Sequence, residues 1–275
     1  MLGKQFSFNG KLLPAEKAAI PIDNIEFTYG FGVYENLKIR KRLLYFPEMH
    51  CERILNSAKI INLKPKFNKI QIKNYLVEFV NKIKEDSFNV KILMVGNKTD
   101  SDLYIFAAAP KYMPRKAYTQ GVKVITYQGD RQFPNAKTLS MLMSYVAYKK
   151  ARENNAYDSL MINNDNKIRE GTRTNFFYTD GKTIFTAPKE QVLNGVTRIT
   201  LLEALKKENI AVREKELDLK ELKKYKGFFL TSTSSKVVPI SEINNKKIEI
   251  PEIIKKVIRV YNRYLEEYGK KSKII

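Results

Sequence analysis

Apolar and polar positions along this chain change their period several times, and each change marks an element. Phe6 and Phe8 alternate with polar residues, Asn9-Gly10 supplies a type I′ turn and Leu12-Leu13 returns, which predicts an N-terminal hairpin. Val33 to Ile39, the turn residues Arg40 to Arg42 and Leu43 to Phe46 predict a second β ribbon. It runs into a helix from about Pro47 past Arg53 to Ile61, with proline in the first turn, where its missing N–H costs nothing. Ile70, Ile72, Leu76, Phe79, Val80 and Ile83 form a helical stripe across residues 69 to 85. Lys91 to Val95 and Leu103 to Ala109 then read as two strands.

Pro110, Pro114 and Gly121 bracket a basic, irregular stretch, and a domain boundary is expected near residue 115, giving units 1–115 and 116–275. The second opens with a strand at Val122 to Tyr127. The segment around Lys137 is expected to open a helix with Leu139, Leu142 and Val146 on one face. A strand at Ser159 to Ile162 follows, then a meander from Lys167 to Phe185 turned at Asp180-Gly181. Helices near Thr197 to Glu208, 218 to 225 and Pro251 to Tyr268, with a strand at Gly227 to Thr231, complete the reading. Both halves are mixed α and β, without the regular βαβ alternation of a doubly wound sheet.

Composition narrows the class. With 275 residues, 43% of them hydrophobic, the chain can bury one large core or two modest ones. No apolar run approaches the roughly 18 residues of a membrane span, and the first twenty residues carry four charges where a secretory leader would be apolar, so the cytoplasm is the expected compartment. One cysteine, Cys51, and one histidine, His50, leave no cluster for zinc and no internal disulfide, and no metal is expected. The net charge of +21 raises nucleic-acid binding as a remote alternative. Its densest runs, Lys149 to Arg152, Lys220 to Lys226 and Lys270 to Lys273, sit among helical or terminal residues, so solvated lysine faces are the reading adopted. Neither nucleic acid nor membrane is an expected partner. A positive field would still gather anionic small molecules.

Three local patterns carry chemistry. Lys137, in Pro134-Asn135-Ala136-Lys137-Thr138-Leu139, is flanked by rigid and apolar residues that suggest a buried segment. Glu170 ends the strand-like Lys167-Ile168-Arg169 just before Gly171 and a run of small polar residues. Gly195-Val196-Thr197 precedes a helix with Ile199, Leu202 and Leu205 on it, so unpaired backbone N–H groups and the positive dipole end meet there with the Thr197 hydroxyl. Thr231 to Ser235, after a strand, offers a second rim of donors. Each has a plainer reading alone: a surface lysine, a carboxylate paired with Arg169 or Arg173, a simple glycine turn, a polar loop. As an ordered set they supply an amine for an aldehyde, an acid for a ring nitrogen and a cradle for a phosphate, which is what pyridoxal 5′-phosphate requires.

The set resembles the fold-type IV pyridoxal phosphate enzymes of the class IV aminotransferase family: branched-chain aminotransferases, D-amino acid aminotransferases and aminodeoxychorismate lyases. Tyr29-Gly30-Phe31-Gly32-Val33-Tyr34-Glu35 is similar to the family's glycine-rich strand, and His50 to Ala58 to its His-x-x-Arg-Leu-x-x-Ser-Ala helix. The Lys137 segment, Glu170-Gly171 with Asn175-Phe176-Phe177, Gly195 to Arg198 and Thr231 to Ile240 follow in family order.

The resemblance implies a small N-terminal α/β domain and a larger C-terminal β-barrel-like α/β domain that binds the cofactor. It implies that Lys137 takes the cofactor aldehyde and shuttles a proton, and that Glu170 pairs with the pyridine nitrogen. Arg53, Val196, Thr197, Ser232 and Thr233 would hold the phosphate, Leu193 would pack on the ring, and Tyr34 would face the substrate. His50 is expected to support its helix and take no part in the chemistry. The implied activity is transfer of an amino group between an amino acid, of branched-chain or D-amino acid type, and a 2-oxo acid, by a homodimer. The alternative is 4-amino-4-deoxychorismate lysis.

Three departures separate the chain from each subfamily. Leu142 stands where branched-chain enzymes usually have Tyr, and Met94 to Lys98 lacks the Arg-x-His carboxylate trap of D-amino acid enzymes. Asn36 stands where the lyases often have Thr, and Thr231 to Pro239 looks more like the aminotransferases.

Overall fold

A computed structural model describes residues 1–110 and 112–272, arranged as two compact units. The first comprises residues up to 110 together with 136–141; the second comprises 112–135 and 142–271. The short segment holding Lys137, expected in the C-terminal half, thus folds with the N-terminal one. The reason is local pairing: Tyr34 N–H donates to Lys137 O at 2.9 Å, Leu139 N–H donates to Gly32 O at 2.8 Å, and Val33 bridges Thr138.

In the first unit the elements are β1 (Leu2–Phe8), β2 (Lys11–Pro14), α1 (Ile25–Thr28), β3 (Gly32–Arg40), β4 (Leu43–Leu44), α2 (Pro47–Ile60), α3 (Lys69–Asn81), β5 (Phe88–Gly96) and β6 (Ser101–Ala108). The strands form one sheet in the order β2-β1-β6-β5-β3-β4. Both predicted ribbons are present. Asn9 and Gly10 have φ of 50° and 83°, and Lys41 and Arg42 have 51° and 61°, the left-handed pairs that a type I′ turn needs. Along β3, Val33, Glu35, Leu37 and Ile39 are buried while Tyr34, Asn36, Lys38 and Arg40 are half-exposed, so the strand alternates with period two. The buried row packs with Ile54 and Ala58 of α2, with Ile72, Leu76 and Phe79 of α3, and with Val90 and Ile92 of β5. Helix α3 starts at a capping box in which Asn68 and Gln71 bond each other's backbone N–H, which fixes the boundary the stripe predicted.

The second unit holds α4 (Lys116–Gln120), β7 (Val122–Gln128), α5 (Leu142–Glu153), β8 (Asp158–Ile162), β9 (Lys167–Gly171), β10 (Asn175–Thr179), β11 (Ile184–Thr186), α6 (Val196–Lys207), β12 (Val212–Glu214), β13 (Leu217–Asp218), β14 (Gly227–Ser232), β15 (Lys236–Ile243), β16 (Lys246–Lys247) and α7 (Glu252–Lys271). Strands β10-β14-β15-β7-β8-β9 are hydrogen-bonded in that order, and an additional pairing of β9 with β10 closes them into a ring. That barrel matches the expected fold class. Its core is Val124, Leu160, Ile162, Phe176, Tyr178, Phe228, Leu230, Val238 and Ile240. The closing pair is Asn175 opposite Glu170, so the seam of the barrel falls on a predicted site residue.

Two expectations are corrected. The Lys137 segment is not helical, and α5 begins only at Leu142. The helix buries Ser144, Ala147 and Ala151 and leaves Leu142 77% and Val146 42% exposed, the reverse of the expected apolar face. Small residues face inward because α5 lies close against β8, where Ser159 Oγ donates to Ala147 O at 2.7 Å. Residues 219–224, expected as a helix, form a 3-10 turn capped by Asp218. The basic runs on α5 and at 220–226 are exposed, as expected of solvated faces, and the third run ends at Lys273, outside the described residues.

Candidate active site

Helix α2 carries three polar residues that reach other elements of the first unit. His50, Arg53 and Ser57 are spaced three and four apart, which puts them on one face of the helix. Each reaches a different target. His50 Nδ1 lies 2.7 Å from Glu35 Oε2; Arg53 Nε and Nη2 donate to Glu35 Oε1 and Oε2, both at 2.6 Å; Ser57 Oγ accepts from Lys137 N–H at 3.0 Å. His50, expected only to support its helix, reaches across to β3.

Glu35 is fully buried in an otherwise apolar row. Burial alone pushes its carboxyl up; the attraction of Arg53 and then His50, with the hydrogen bonds both donate, outweighs that and brings the pKa down to about 2. Burial pulls the His50 pKa down, and the opposing pull of Glu35 does not restore it. The ring is thus a neutral donor to an ionised acceptor, with its proton on Nδ1 by elimination, since the carboxylate can only accept.

Lys137 is half-buried, not enclosed as its flanks suggested. Its Nζ lies 3.3 Å from the Tyr34 hydroxyl and 4.3 Å from the centre of the Tyr34 ring. A cation over an aromatic face is held in place without losing its charge to a carboxylate, and among the described residues no ion pair to Lys137 is formed. The structure thus brings Lys137, which the sequence reading put in the other half, into the same unit as Tyr34 and Arg53, with Glu35 and Ser57 as partners that reading did not name.

The second unit assembles the remaining residues around the barrel seam. Glu170 is 4% exposed, and neither Arg169 nor Arg173 pairs with it. Arg169 goes to Asp130 and Glu216, each at 2.8 Å, and Arg173 lies over the rings of Tyr148 and Tyr157. The partner is Arg131, whose Nε lies 3.0 Å from Glu170 Oε1 while Nη2 donates to Thr172 O at 3.0 Å. Leu193 N–H donates to Glu170 Oε2 at 3.3 Å, and Asn175 Nδ2 donates to Leu193 O at 2.8 Å. Leu193 is buried and tied to Glu170 through its own backbone.

Gly195 caps α6 without a side-chain cap, and Val196 and Thr197 are buried in the first turn. A Cβ at Gly195 would run into Asn175 Oδ1, so the close approach of the turn to β10 requires glycine. Ser232 Oγ lies 2.7 Å from Ser235 Oγ and accepts from Ser235 N–H at 3.2 Å, which fixes the tight turn between β14 and β15; Thr233 is half-buried within it. Beside it Thr231 Oγ1 is buried with no hydrogen-bond partner among the described residues.

Asp158 anchors the loop after Glu170. It is fully buried, accepts from Ser159 N–H at 2.9 Å, Thr172 N–H at 3.3 Å and Thr174 Oγ1 at 2.8 Å, and also from Thr172 Oγ1. Burial raises its pKa despite these donors.

The donor set fits pyridoxal phosphate on this chain's own terms. A primary amine stands beside a phenol, a buried carboxylate is held by an arginine, and a helix N-terminus without a side-chain cap lies in the same unit as an orphaned buried hydroxyl. No cluster of three or more potential metal ligands occurs among the described residues. No helix there is long and apolar enough to cross a membrane.

That combination is what a pyridoxal phosphate-dependent enzyme needs. The family profile described as Amino-transferase class IV matches residues 32–243, and the chain belongs to that family. D-alanine aminotransferase of Bacillus licheniformis is 27% identical over 255 residues, spanning 88% of this chain and 89% of the relative. A probable branched-chain-amino-acid aminotransferase of Rickettsia felis is 27% identical over 279 residues, spanning 95% and 93%. Among solved structures, branched-chain aminotransferase from Thermoproteus uzoniensis with norvaline superposes with a TM-score of 0.85 at 23% identity, covering 98% of this chain and 96% of its own. The Escherichia coli branched-chain enzyme gives 0.86 at 20%, covering 93% and 92%. The superpositions support the fold, while the family match and the named relatives support the transaminase activity and do not favour the lyase alternative.

Proposed function

We propose that the chain moves an amino group between a small amino acid, of branched-chain or D-amino acid type, and a 2-oxo acid, with pyridoxal phosphate as its cofactor. The observation that carries this reading is Glu170: a carboxylate buried at the barrel seam, held by Arg131 and the Leu193 N–H. Bound pyridoxal phosphate supplies an electron sink for the bonds at the substrate's α-carbon. Glu170 keeps the ring nitrogen protonated. Lys137 Nζ, steadied by Tyr34, takes up the proton leaving the α-carbon and returns it on the other side of the exchange. Arg53, Val196 and Thr197 with Ser232 and Thr233 hold the phosphate, and Leu193 lies against the ring. Tyr34 faces the substrate.

We further propose a homodimer. Leu142, Met143, Tyr145 and Val146 of α5 are 42–77% exposed, a large apolar surface for one helix, and the family resemblance supports a second copy as its cover. Sedimentation equilibrium tests it: a monomer at micromolar concentration would refute the dimer.

Single amino acids added to the purified enzyme test the activity. Conversion of the cofactor to its pyridoxamine form, with release of the matching 2-oxo acid, is expected. L-leucine or D-alanine as the active compound reads the handedness, and no conversion by any amino acid would end the proposal.

A further inference from the structure

A charged side chain in the apolar row of β3 is strongly disfavoured unless its partners are excellent, so Glu35 calls for an explanation that packing cannot give. Leu37 and Ile39 fill the same row without difficulty. The carboxylate accepts three hydrogen bonds, and two come from the Nε edge of one guanidinium, the fork-to-fork arrangement that fixes both the position and the plane of an arginine. Of the five guanidinium N–H groups, Glu35 takes two along that edge. The Nη1 edge is thereby turned away from the carboxylate, and Arg53 is only 11% exposed. His50 holds the other side of Oε2, so the carboxylate cannot rotate without breaking a bond to one partner.

The same helical face sets a distance as well as an orientation. Ser57, one turn beyond Arg53, is fully buried and holds the backbone N–H of Lys137. One rigid helix therefore registers the amine-bearing segment and the guanidinium against each other. An arginine on a mobile side chain loses rotamer entropy on binding; one already forked to a buried carboxylate has less to lose.

We propose that Glu35 and His50 are positioning residues that preset Arg53 to receive the cofactor's phosphate at a fixed distance from Lys137. The inference rests on the reading of Arg53 as a phosphate ligand.

Paired affinities for pyridoxal phosphate and for pyridoxal, which lacks the phosphate, test it on the full-length protein stripped of cofactor. A general packing role would weaken both ligands alike; a positioning role is selective. Glu35→Gln keeps the shape but sets an amide N–H against donors, and is expected to weaken pyridoxal phosphate at least about 30-fold and pyridoxal less than about 3-fold. His50→Leu, which leaves the carboxylate, is expected to weaken pyridoxal phosphate about 5-fold, and His50→Gln, which can still donate, to restore it. If Glu35→Gln is insoluble, the two His50 variants decide. Equal loss for both ligands, or no loss, overturns the proposal. Arg53→Ala separates the two claims: if it leaves the ratio of affinities unchanged, the phosphate reading of Arg53 has failed, and the positioning role with it.

Discussion

Arg131 Nε stands 3.0 Å from Glu170 Oε1, across 39 residues of sequence and a half-barrel of strands. The pair is largely buried, with side chains 13% and 5% exposed, so the arginine's charge acts on the carboxylate with little screening by water. Glu170 is therefore faced at ion-pair distance by a residue that no local pattern marks, although Arg131 Nε itself makes no hydrogen bond among the described residues.

Replacing Arg131 by Leu should leave a buried carboxylate without its cation. Unfolding free energy is expected to fall by about 3 kcal/mol, read by denaturant titration, with kcat down at least about tenfold. Unchanged stability and turnover would show that Arg131 contributes nothing to the site.

Glu170→Gln keeps the volume and the Leu193 contact and removes the charge. The cofactor should remain bound stoichiometrically by its absorbance while turnover falls at least about 100-fold. Wild-type rates in this variant would refute the role of Glu170.

Borohydride reduction of the loaded enzyme should fix the cofactor to Lys137 alone, identified by peptide mass. Lys137→Ala should give no fixed label. A label on any other lysine would displace Lys137 from the chemistry.

Acid stability should carry the mark of Glu35. Its pKa falls from 4.5 to about 2 on folding, so its contribution is fully present above pH 4.5 and is lost as the pH drops toward 2. The amount is roughly 3 kcal/mol. Glu35→Gln should flatten this part of the stability profile; an identical acid limb in both proteins would contradict the ionised, paired state.

Ser57→Ala removes the acceptor of the Lys137 backbone N–H without touching either charge. A loss of about 1 kcal/mol in stability is expected, with a measurable fall in kcat. No change in either would mean that the segment is held by its strand-like pairing to β3 alone.

Much of this protein lay in short-range pattern. Turn pairs with positive φ, a capping box, a period-two strand and a glycine before a helix are each settled within a few residues, so the two ribbons, α2, α3 and α6 could be placed from the sequence. What failed was whatever depends on distant chain. Leu142 and Val146 looked like a buried face because apolar spacing cannot tell which side of a helix meets a strand. The partner of His50 could not be read because it lies 15 residues away on β3. Lys137 was assigned to the wrong half because its backbone pairs with β3 roughly a hundred residues earlier. Residue identity and local propensity determined which groups this chain has for its chemistry. Only the tertiary fold decided which of them are desolvated together within each unit, and it is desolvation and fixed distance that turn Glu35 with Arg53, and Arg131 with Glu170, from ordinary surface charges into buried pairs.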